Sequence, residues 1–99
     1  MTIPSSIVIL GRVYNIDQKD FIDGDLLGQC DSDALKITIK KNQPEILEAD
    51  TLLHEILHAI DDAMQTKMKE RQVHCTATGL LALFKDNPDF VKYMFKAVK

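Results

Sequence analysis

Two cysteines, Cys30 and Cys75, are too few for a disulfide framework in a 99-residue chain and form no C-x-x-C pair, so free thiols in a reducing compartment are expected. Long apolar runs are missing too. Ile7 to Leu10 is too short for a membrane span, and Met1 to Leu10 has no basic stretch to open a secretory leader. The expectation is a cytoplasmic protein with no membrane partner. A basic excess is also absent: the net charge is -3 and the pI near 5.5, which argues against a protein that tracks the phosphates of a nucleic acid. Only Lys85, Lys92, Lys96 and Lys99 make one end locally basic, and they read as a solvated helix face. Repeats and disorder-type composition are lacking, and 45% apolar with 27% charged residues is a globular balance, so residues 1–99 read as a single domain. At this size a metal or a partner adds useful stability. The acidic group Asp23, Asp25, Asp31 and Asp33 lacks the D-x-D-x-D-G spacing and closing Glu of a calcium loop, and reads as turn chemistry.

What the chain does contain is Asp50-Thr-Leu-Leu-His-Glu-Ile-Leu-His-Ala-Ile-Asp61, with H-E-x-x-H written as His54-Glu55-Ile56-Leu57-His58. At about 100° per residue, His54 and His58 stand one turn apart with about 40° between them, so both imidazoles point to one side of a helix. Asp50, Thr51, Asp61 and Asp62 fall beside them. Leu52, Leu53, Ile56, Leu57, Ala59, Ile60, Ala63 and Met64 fill the opposite face. Glu55 lies at the edge of the polar arc, placed to reach a water on a metal held by the two histidines rather than the metal itself.

The flanking segments supply a small sheet and two more helices. Ile7 to Leu10 and Arg12 to Ile16 read as one strand or two short ones interrupted at Gly11, rich in β-branched residues. Asp17 to Asp20 and Asp23-Gly24-Asp25 read as turns, and Leu26 to Cys30 as a strand. Leu35 to Lys40 alternates Leu35, Ile37 and Ile39 against Lys36, Thr38 and Lys40, the pattern of a half-buried strand in a hairpin with its predecessor. The metal-binding helix is expected to begin between Pro44 and Asp50, and a second helix to run from about Lys67 to Lys85. On that second wheel Val73, Ala77, Leu80, Leu81 and Phe84 form the apolar side, with Glu70 and His74 in the same arc. A carboxylate on a packing face is costly unless paired or metal-bound, so Glu70 is the expected third ligand. His74 follows as an outer hydrogen-bond partner or a competing ligand, and Asp61 holds the same status on the first helix. Either thiol is a further candidate, Cys75 more so because it follows His74. Asn87-Pro88 stops the second helix and starts a short amphipathic one, Phe90 to Val98, suited to core covering or a dimer contact. The fold class is therefore α+β, an antiparallel or mixed three-stranded sheet followed by three helices.

With those residues in hand, Leu27 to Pro88 resembles the compact zincin metallopeptidases, specifically the small phage and prophage proteins related to the ImmA/IrrE-type peptidases. The likeness rests on Gly28-Gln-Cys-Asp31 followed by Ile37-Thr-Ile39, on Leu52 to Asp61, and on Glu70-Arg-Gln-Val73 followed by Gly79-Leu80 and Asp86-Asn-Pro88. It implies a minimal zincin-like fold, His54, His58 and Glu70 as ligands of zinc, and Glu55 as the catalytic carboxylate. One departure stands out: zincins with a Glu ligand often carry an Asp four residues later, where this chain has His74. A three-histidine site using His74, with Glu70 outside it, resembles the SprT-like proteins.

These parts imply a zinc-dependent peptidase in which an open fourth position takes water and Glu55 is the general base. Imidazole and carboxylate ligands also admit manganese, iron, cobalt or nickel. The strand Leu35 to Lys40, as an exposed edge, would pair with an extended peptide, and His74, Tyr14 and Tyr93 are candidate donors to the oxyanion. By analogy the substrate is a narrow regulatory protein, in the host cytoplasm if a phage encodes the chain. The alternative is a non-catalytic module of a phage or prophage in which the metal only staples helices to sheet and the protein works by binding a partner. It predicts that Glu55 is dispensable while the histidines are not.

Overall fold

The β-branched run at the start of the chain folds back on itself through the tightest available turn. The protein is described by a computed structural model covering residues 2–99. Strand β1 (Ser6–Ile9) and β2 (Arg12–Lys19) form an antiparallel hairpin closed by Leu10 and Gly11, with Ile9 facing Arg12. Both turn residues have positive φ, 48° and 82°, as a two-residue type I′ turn requires. Glycine takes that conformation freely. Leu10 does so under strain.

A second hairpin joins β3 (Gly28–Asp31) to β4 (Lys36–Lys40), with Cys30 facing Ile37. Asp31 Oδ1 closes its turn by accepting the backbone N–H groups of Asp33 and Ala34 at 3.1 and 3.0 Å. The two hairpins then merge. β4 lies parallel to β2, Ile16 facing Ile37 and Gln18 facing Ile39, giving a mixed four-stranded sheet in the order β1-β2-β4-β3.

This sheet corrects the three-stranded expectation in two places. Asp17 to Lys19 do not turn but continue β2, because pairing with Thr38 to Lys40 of β4 and the ion pair Asp17–Lys36 at 3.4 Å hold these polar residues extended. The segment from Lys36 to Lys40 is internal rather than an edge. Ile37, Thr38 and Ile39 are all buried, the signature of a strand covered on both faces, so its apparent alternation is misleading.

Helix α1 (Glu45–Met64) follows Pro44, which suits a helix start, with Glu45 and Glu48 in its positive first turn. It ends where Gln65 adopts the left-handed conformation and its N–H returns to the Asp61 carbonyl. Ala59 is buried and Leu52, Ile56 and Ile60 half-buried against Ile9, Tyr14, Ile16, Ile37 and Ile39, which together make the core between sheet and helix. Helix α2 (Glu70–Asp86) packs back along α1 through Val73 and Ala77, both fully buried. It starts three residues later than expected, since Lys67 has a φ of 56° and the Met68 N–H is held by the Asp61 side chain. Helix α3 (Pro88–Ala97) approaches only α2 and buries none of its residues, so it does not cover the core. Among the described residues no helix is long and apolar enough to cross a membrane.

Candidate metal centre

Helical spacing and a five-residue connection bring three donors to one point. His54 and His58 project from the same face of α1, and their Nε2 atoms stand 3.2 Å apart. Glu70, the first residue of α2, arrives over them: its Oε1 is 2.6 Å from His54 Nε2 and its Oε2 2.9 Å from His58 Nε2. Among the described residues this is the one group of three His, Cys, Asp or Glu side chains whose donor atoms all lie within 4.8 Å of one another.

The arrangement fits a cation better than it fits a hydrogen-bonded cluster. To bond Glu70, each Nε2 would need a proton, and two N–H groups at 3.2 Å would then oppose each other. A small ion instead takes the lone pair of each nitrogen. Donors around a tetrahedral ion at roughly 2.0 to 2.2 Å stand about 3.3 to 3.6 Å apart, so the triangle needs to open by under about 1 Å. Glu70 is largely exposed and free to make that adjustment.

Glu55 lies beside the trio and is buried, 6% exposed, with its carboxylate lining the cleft. Burial, and secondarily the charge of Glu70, push its pKa up from 4.5 to about 7. The other wall is the edge strand β3. A Cβ placed on Gly28 would stand 2.6 Å from Thr51 Cγ2 and 3.0 Å from Glu55 Oε2, so only glycine lets this backbone lie against the carboxylate. The resulting cleft has two lobes, of about 580 and 390 Å³, that share Leu26, Gly28, His54, Glu55 and Glu70. Asp25, Asp50, Asp61 and Asp62 line its flanks, and no lysine or arginine does.

The remaining expected site residues fall in different places. His74 lines the smaller lobe with its ring 6.2 Å from that of His54, near the trio but not one of its members. Asp61 Oδ1 accepts from Thr66 Oγ1 and, at 2.9 Å, from the Met68 N–H, and these bonds hold its pKa down. It therefore braces the connection that delivers Glu70. Cys30 borders the larger lobe with its thiol pushed up by burial, and Cys75 is exposed on α2 away from the cleft. Tyr14 is buried in the core and Tyr93 sits on α3, so neither reaches the cleft as an oxyanion donor. The exposed edge beside the site is β3, not the strand from Leu35 to Lys40.

Gln43, Thr51 and Gly28 complete the support, and the sequence did not single them out for it. Gln43 Nε2 donates to the carbonyls of Leu27 and Lys40 at 3.2 and 2.8 Å. Its Oε1 lies 3.0 Å from the hydroxyl of Thr51, which shares its proton with the Leu47 carbonyl. One amide thus ties the ends of β3 and β4 to the helix that carries the histidines. A Thr three residues before the first His was the only local signal. No family model matches the chain, and no match was found among curated proteins or solved structures.

Proposed function

We propose that the chain is a zinc-dependent peptidase, a minimal zincin of the ImmA/IrrE kind, in which His54, His58 and Glu70 hold the metal. The observation that carries this reading is the convergence of three metal-type donors beside a buried carboxylate at the mouth of a cleft. When bound, zinc supplies a Lewis acid that polarises a carbonyl and acidifies a water. Glu55 takes the proton as the water oxygen adds to the carbonyl carbon, and delivers it to the nitrogen as the C–N bond breaks. An extended peptide would add to the free side of β3, whose Gly28, Gln29 and Cys30 line the cleft.

A second reading, a metal-stapled interaction module, draws on how little of α2 is buried, Val73 and Ala77 being its fully buried residues. The two readings part at Glu55. Elemental analysis of untagged protein should give about one zinc per chain, lost in His54→Ala and Glu70→Ala and kept in His74→Ala. Loss with His74→Ala and retention with Glu70→Ala would move the site to the three-histidine, SprT-like variant. Glu55→Gln should keep its zinc and lose cleavage of a fluorogenic peptide library. Cleavage at the parent rate would sink the peptidase mechanism.

A further inference from the structure

The metal centre uses α1, β3 and the start of α2, and leaves α3 without a role. Its residues divide sharply on a helical wheel. At about 100° per residue, Phe90, Tyr93, Met94, Ala97 and Phe95 fall within an apolar arc of about 200°, and Lys92, Lys96 and Asp89 within the remainder. α2 covers little of that arc. Tyr93 is 68% exposed, Phe95 67% and Val98, just beyond the helix, 78%. Leu83 and Phe84 at the end of α2 extend the same surface. Between the two helices runs a groove of about 380 Å³ whose lining is entirely apolar, with Leu80 and Leu83 on one wall and Phe90 and Met94 on the other.

We propose that this face joins a second copy of the chain in a two-fold dimer of α2–α3 hairpins. Three observations select that occupant. Leaving out Tyr93, which projects on the other side of α3, and with aromatic side chains offering about 150 to 250 Å² each, the exposed apolar area beside the groove is on the order of 550 Å² per chain, so two copies would bury about 1,100 Å², just above the roughly 1,000 Å² that a biological interface clears. The face is self-complementary, since it carries both an open apolar groove and protruding aromatic side chains, as an isologous contact demands. Finally, Lys96 lies on the far side of α3, and Lys85 and Lys92 border only the rim beside Phe95, so two copies can meet on the apolar groove with these lysines at its edge. No α3 residue lines the metal cleft, and the dimer leaves it open.

Sedimentation equilibrium on the full chain, from about 1 to 200 μM, tests this across the range of weak to moderate association. The parent should approach twice its 11.2 kDa. Phe95→Lys should raise the dissociation constant at least about 30-fold, the scale of a lost aromatic anchor. Val98→Lys, past the end of the helix and unable to unwind it, should also weaken the dimer. Val8→Lys, at an equally exposed apolar site on β1, should leave it intact. A parent that stays monomeric at 200 μM overturns the proposal, as does a dimer that survives both α3 substitutions. A monomer that instead binds anionic phospholipid vesicles through the same residues would also overturn it.

Discussion

A methyl group at Gly28 would stand 2.6 Å from Thr51 Cγ2 and 3.0 Å from Glu55 Oε2, and neither neighbour has slack, since both are buried on α1. Gly28→Ala should therefore cost about 1 to 3 kcal/mol in chemical denaturation, the usual range for overpacking. By displacing Glu55 it should reduce peptide hydrolysis about tenfold to a hundredfold while zinc content stays near one per chain. Glu55 itself gives a pH prediction for the metal-free chain. Its folded pKa, about 7, lies above its ordinary 4.5, so between those values the folded state holds more protons than the unfolded one. The contribution of Glu55 to stability is then fully present below about 4.5 and is lost as pH rises through 7, by on the order of 3 kcal/mol for a shift of this size. Glu55→Gln should flatten that decline and leave the metal-free protein more stable than the parent at pH 8. An unchanged pH profile in urea titrations would mean that the carboxyl is not desolvated as its burial implies.

The elements divide by how local their causes are. α1 was readable because its period, its acidic first turn and its two histidines all lie within twenty residues, and α3 because Asn87-Pro88 announces it. The sheet order was not. Nothing within Asp17-Gln-Lys19 signals a strand, and its extended state comes from β4, some twenty residues further on. The same blindness hid which strand forms the edge beside the site, since Thr38 reads as solvent-facing although it is buried on an internal strand. The late start of α2 has the same origin: Asp61 fixes residues 66 to 68 through its side chain, a contact that periodicity cannot supply. Because that connection delivers Glu70 to the histidines, Asp61→Ala should weaken zinc binding about tenfold to a hundredfold, the effect of losing an outer-shell support. Competition with a chromophoric chelator would measure it. An affinity equal to the parent's would show that α2 finds its place without the brace.

The whole molecule has one well-filled layer and one whose helices bury few residues. Sheet and α1 share a continuous core from Ile9 through Ile39 to Ala59. α2 is held to α1 by Val73 and Ala77, by the Thr78 hydroxyl on Asp50 at 3.1 Å, and by Glu70 on the two histidines, with α3 attached only through α2. Elements with few buried contacts open at lower free energy than the rest, so in the metal-free chain amide exchange should be fastest in α2 and α3 and slowest in β2, β4 and the middle of α1. Zinc held as proposed by His54 and His58 of α1 and Glu70 of α2 would bridge the two layers. A ligand present at 1,000 times its dissociation constant stabilises the state that binds it by about 4 kcal/mol, and here that state is the one with α2 docked. Adding zinc should thus slow exchange across α2 by up to about a thousandfold while β2 and β4 change far less, because they are protected by the core in either state. Glu70→Ala should abolish the difference and His74→Ala should not. If zinc instead slowed exchange uniformly over sheet and helices, the two layers would unfold as one unit, and the metal would be completing a fold rather than docking a helix.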